Sequence, residues 1–150
     1  MNNRFKFLTI LFAFITLSAL IVHLFELGVK INLSKEDYHS VQNIYREWAW
    51  LGVFEIGSIL LTAILTFKER ENKKIFPYLM ISFVCFLVSI IFFFLFTFPV
   101  NGATSNWTQM PQGWDILRRK WEYSHAINAT LYLTGFGFLI GAVLSKRQVE

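Results

Sequence analysis

The order of apolar and polar positions divides the chain into four long runs without charge, separated by short polar stretches. Residues 7–25 hold no Asp, Glu, Lys or Arg, residues 48–67 hold only Glu55, and residues 75–114 and 123–145 hold none. Each run reaches the ~20 residues that an α-helix needs to cross a hydrocarbon layer ~30 Å thick. The pattern predicts four membrane-spanning helices at about 7–27, 48–67, 75–98 and 121–144. The fold class is therefore all-α, a four-helix transmembrane bundle forming one integral membrane domain over residues 1–150.

The connections carry their own signals. Ser34-Lys35-Glu36-Asp37 reads as a capped helix start, with Ser34 as N-cap and acids in the first turn, so a short extramembrane helix is expected after span one. It leads through Tyr45 into span two, where Trp48 and Trp50 take interfacial positions. Pro77 stands near the start of span three, where its missing N–H costs little. A loop of about twenty residues after Pro99, containing Trp107 and Trp114, rests on the membrane surface or caps the bundle. Gly137 and Gly141 in span four are spaced for close approach of another helix, although glycine is common in membrane helices for other reasons.

Composition agrees with this picture: 55% of residues are hydrophobic and 18% aromatic, well above a soluble domain. The net charge of +4 does not indicate nucleic acid, because the basic residues stand at the ends of the apolar runs. Arg4 and Lys6, the basic stretch from Lys68 to Lys74, and Lys146 with Arg147 place both termini on the cytoplasmic side of a multi-pass cell-membrane protein. Arg118, Arg119 and Lys120, on the other side, read as headgroup contacts. The first run has no small-x-small cleavage pattern and continues unbroken through His23 to Leu27, so it reads as a retained span. The single cysteine, Cys85, excludes an intrachain disulfide and a CxxC redox pair.

Ionisable side chains inside membrane helices need a partner or a purpose. His23 and Glu26 share one face of span one, Glu55 lies in span two, and Glu122 and His125 begin span four. Rise per residue puts His23 and His125 at similar depth in the outer half of the bundle, Glu26 nearer the surface and Glu55 about a turn deeper. His23, Glu26, Glu55 and His125 are a ligand set that zinc, iron or copper would accept. Glu122-x-x-His125 has the spacing used in four-helix di-iron sites, while His23-x-x-Glu26 has the reverse order. The same groups, with Asn128 and Tyr123, could instead hold the helices in register by hydrogen bonding alone. A metal cofactor, a site without cofactor, a proton or ligand pathway, and a structural role all remain open, as does homo-oligomer formation.

Asn101 after span three, Leu117-Arg118 before span four, and Trp121-x-x-x-His125 together resemble a bacterial family of four-span membrane proteins related to fungal anthrone oxygenases. Where those relatives carry an arginine three residues after the histidine, this chain has Asn128. The resemblance implies oxidation of a polycyclic phenol by molecular oxygen without a conventional cofactor, with His125 as catalytic base and Trp121 in an aromatic wall. His23, Glu26, Glu55, Glu122, Asn128 and Asn101 are then the expected pocket for a lipid-soluble aromatic molecule. The alternatives are a small transporter or proton-coupled exporter centred on Glu55, and a structural or accessory membrane subunit.

Overall fold

The computed structural model describes residues 3–145. Helix α1 (Asn3–Lys30) is followed by the short α2 (Lys35–Gln42) and by two 3-10 turns, Asn43–Tyr45 and Trp48–Leu51, that run into α3 (Gly52–Lys68). Next come α4 (Phe76–Phe92), a π-helical segment (Phe93–Thr97), α5 (Phe98–Ala103) and the long α6 (Trp114–Leu144). Among the described residues there is no strand. Four helical stretches are long and apolar enough to cross a membrane: Asn3–Lys30, Trp48–Lys68, Phe76–Ala103 and Trp114–Leu144.

Consecutive spans are antiparallel and close into a four-cornered ring, in which α1 and α4 each pack against both α3 and α6. No more than 33% of the most apolar stretch of any span is buried inside the protein. Large apolar side chains such as Phe14, Leu60, Ile91 and Leu133 point outward. Such a surface is unfavourable in water and suited to lipid, so the chain is a multi-pass integral membrane protein.

The inward faces are built from small and hydroxylic residues: Ala13 and Thr16 on α1, Ser58 and Thr62 on α3, Ser82 and Ser89 on α4, Ala129 and Gly135 on α6. In lipid the association of helices depends on close backbone approach and on interhelical hydrogen bonds. Gly135 shows the first: a Cβ there would lie 2.8 Å from the Phe86 ring and 2.9 Å from Cys85 Cβ. The hydrogen bond between Ser58 and the Tyr132 hydroxyl shows the second. The pair expected from spacing is split, since Gly141 meets the Tyr78 ring while Gly137 faces open space.

Ser34 caps α2 as its sequence suggests, accepting from the Asp37 N–H at 3.1 Å. Three boundaries differ from the sequence reading. Span one continues to Lys30, and α6 begins at Trp114, two turns before Trp121. The loop after Pro99 is partly helical, as α5 runs to Ala103. Its remainder turns tightly through Ser105, Asn106 and Trp107, all with positive φ. That turn tucks Trp107 under α2, where it joins Tyr38, Val100 and Trp121 in a second apolar cluster. The loop therefore caps the bundle. Helix α2 is extramembrane but its inner face is not free: Tyr38 and Gln42 are buried against the mouth of the four helices. Lys146 and Arg147 lie outside the described residues.

Candidate functional site

Because α1 and α6 are antiparallel neighbours, the last two turns of α1 face the first half of α6. Helical periodicity puts His23, Glu26 and Lys30 on one stripe of α1 and Trp121, Glu122, His125 and Asn128 on the inner stripe of α6. The two histidine rings meet with their centroids 4.3 Å apart. Trp121 lies 4.1 Å from His125 and edge-on to His23 at 5.0 Å. Tyr45 and Trp48, brought in by the 3-10 turns, close the side of His23 at 4.7 and 6.2 Å. Phe93, the first residue of the π segment, stands 6.4 Å from His125. The Trp121 indole N–H donates to Asn101 Oδ1 at 2.8 Å, so α5 sets the plane of this ring.

One turn toward the capped end lies a cluster of charges. Lys30 is buried, with Nζ 3.1 Å from Glu122 Oε1 and 3.7 Å from Glu26 Oε2. Its ammonium also sits over the rings of Tyr45, at 4.3 Å, and Trp121, at 4.9 Å. Helix α2 completes the shell around the fully buried Glu122. Tyr38 donates its hydroxyl proton to Oε1 at 3.0 Å, and the Gln42 amide reaches the same oxygen at 3.5 Å. The Tyr45 hydroxyl donates to Glu26 Oε2. Burial, reinforced by the neighbouring carboxylate, raises the pKa of both phenols above the ordinary tyrosine range: Glu122 acts on Tyr38 and Glu26 on Tyr45. Both therefore serve as hydrogen-bond donors.

Arg118 corrects the expectation of a headgroup contact. It turns inward, donating from Nη1 to the Leu33 carbonyl at 2.7 Å and lying over Trp114 at 4.6 Å. The connection between α1 and α2 is thereby fastened to α6. Arg119 and Lys120 remain exposed.

Of the residues expected in a pocket, His23, His125, Trp121 and Glu122 are brought together and Asn101 supports them. Asn128 is buried one turn below His125. Glu26 is committed to Tyr45 and Lys30. Glu55 is half-buried in α3, one turn from Ser58, and its carboxylate makes no hydrogen bond or ion pair among the described residues. Among those residues no three His, Cys, Asp or Glu side chains are grouped to hold a metal ion. The sequence reading missed Lys30, Tyr38 and Gln42. The available signal was spacing: Lys30 follows His23 by seven and Glu26 by four, and Tyr38 precedes Gln42 by four.

Several polar atoms in this region are buried without a hydrogen-bond partner among the described residues: Nδ1 of His23 and of His125, Oε2 of Glu122, and Oδ1 of Asn128. Buried polar atoms are nearly always hydrogen-bonded, so a concentration of free acceptors and donors marks the place where a polar guest gains most. Comparison with protein-family models, curated proteins and solved structures finds no match for this chain.

Proposed function

We propose that the paired imidazoles form an acid–base site for a lipid-soluble aromatic molecule bearing an ionisable oxygen, a phenol or quinol. The observation that carries this reading is the pair of buried histidine rings 4.3 Å apart, each with Nδ1 lacking a partner among the described residues, inside a wall of Trp121, Tyr45 and Trp48. Aromatic walls favour a planar guest, and histidine is the side chain best suited to exchange a proton near neutral pH. The phenolic proton passes to an imidazole nitrogen of His125, and the charge left on the phenolate oxygen is balanced by the imidazolium so formed. The resemblance to the anthrone-oxygenase relatives supports the same substrate class and adds molecular oxygen as oxidant. One oxygen atom would enter the new ring carbonyl, and the other would leave as water with the two hydrogens of that carbon. The basic segment from Lys68 to Lys74 supports an orientation with this site in the outer half of the membrane.

A hydrophobic nitrophenol tests the acid–base step directly, because only its phenolate is coloured. With the detergent-solubilised protein at mildly acidic pH, the phenolate band is expected to saturate at one equivalent. His125→Ala should weaken that binding at least tenfold while the helical circular dichroism is retained. A band no larger than in empty micelles, or one equal in wild type and variant, overturns the proposal.

The isolated carboxylate of Glu55 favours a second reading, proton movement through the bundle. In reconstituted vesicles the wild type is then expected to dissipate an imposed pH gradient several times faster than Glu55→Gln. Equal rates for the two proteins and for empty vesicles remove it.

A further inference from the structure

On the outer face of the bundle a groove of about 460 Å³ runs between the α4–α5 stretch and α6. It begins where the backbone widens into the π-helical segment Phe93–Thr97, a local winding that often marks functional sites. Leu95 and Phe96 of that segment form one wall, and Tyr123 and Ile127 of α6 form the other. The floor is closed by the hydrogen bond between Thr97 and Ser124, 2.8 Å long. Lys120 is the one charged residue in its lining, and seven positions separate it from Ile127, a length of roughly 10 Å along the helix. The volume falls in the range of ordinary small-molecule sites, roughly 300–1,000 Å³.

Charge and location together select the occupant. The groove lies on the surface that faces lipid, which favours a membrane component over a soluble one. Among the described residues Lys120 makes no ion pair, and Arg119 beside it is also exposed. The exposed acid nearest along α6 is Asp115, one turn before Arg119, while Glu122 is fully buried against Lys30. An unpaired cation in an otherwise apolar groove matches an anionic headgroup with its acyl chain. We infer that this groove is a specific site for one anionic phospholipid: an acyl chain lies between the π segment and α6, and the phosphate pairs with Lys120. Ser124 in the floor precedes His125, so the bound chain would brace the α6 turn that carries the histidine.

Native mass spectrometry tests this with protein purified in detergent and supplied with phosphatidylglycerol or phosphatidylcholine. The wild type is expected to retain one phosphatidylglycerol about tenfold more than phosphatidylcholine. Lys120→Glu should abolish that preference, and Ile127→Trp, which fills the groove, should reduce retention of both lipids. Lys120 and Ile127 are exposed positions, so both variants should melt like the wild type. His125→Ala should retain the lipid, which separates this site from the proposed acid–base chemistry. Equal retention of the two lipids by the wild type, or wild-type retention by Lys120→Glu, overturns the inference.

Discussion

Lys30→Met is expected to destabilise the protein by about 3–5 kcal/mol, the usual consequence of removing one partner from a buried ion pair. The ammonium is 3% exposed and its carboxylate partner Glu122 is 0% exposed, so water cannot take over the lost interaction. Tyr38 and Gln42 would still donate to Glu122, but two neutral donors do not cancel a full charge in a low-dielectric surrounding. Glu26 loses less, since it is 39% exposed and keeps the Tyr45 hydroxyl. The double variant Lys30→Met/Glu122→Gln should regain most of the stability, because both charges are then gone and Tyr38 keeps an acceptor. Thermal melts in one detergent, arranged as a double-mutant cycle, measure the coupling. A Lys30→Met protein as stable as wild type would show that the charge is solvated and the pair unimportant. A double variant no better than the single one would place the loss in packing over Tyr45 and Trp121.

The same cluster explains what the sequence could and could not convey. Four spans were legible because the bilayer imposes a single rule, exclusion of charge over ~20 residues, that needs no knowledge of neighbours. Their ends were not, because Lys30 and Arg118 break that rule locally and are accommodated by tertiary partners, Glu122 and the Leu33 carbonyl. A lysine at the end of an apolar run normally marks the membrane boundary, and its spacing from His23 and Glu26 gives the helix face it shares with them but not whether that face is buried.

The common depth of the two histidines was legible for a geometric reason. Antiparallel spans and a fixed rise per residue give depth directly, which puts His23 and His125 at one level. Azimuth is harder to read, and it governs which groups at similar depth share a centre. Glu26 faces the Tyr45 turn, while the Glu55 carboxylate, a turn from Ser58, finds no polar partner among the described residues. The contributions of Tyr38 and Gln42 depend on α2 folding back over the bundle mouth. Its capping signal at Ser34 announces a helix but not where that helix docks. The π segment at Phe93–Thr97 had no local signature within a phenylalanine-rich run.

Gly135→Ala is expected to destabilise the bundle through shape alone, by about 1–3 kcal/mol for overpacking. Alanine is the better helix former by nearly 1 kcal/mol, so intrinsic propensity predicts the opposite sign. Packing decides the sign because the new methyl group meets two obstacles of different kinds. Phe86 Cε1, 2.8 Å away, belongs to a ring that could turn only by leaving its stack on Tyr132, where the centroids are 4.2 Å apart. Cys85 Cβ, 2.9 Å away, is fixed to the α4 backbone and can retreat only if the helix moves. Gly137→Ala is the matched control, with nothing within 4 Å of the new carbon, and should be neutral or slightly stabilising. Since Tyr132 also bonds Ser58, displacement at Gly135 should disturb α3 as well as α4. Cys85→Ala would not rescue the variant, because it keeps the Cβ in question. Melting of Gly135→Ala at or above the wild-type temperature would mean that α4 and α6 separate freely and that this contact does not hold the bundle.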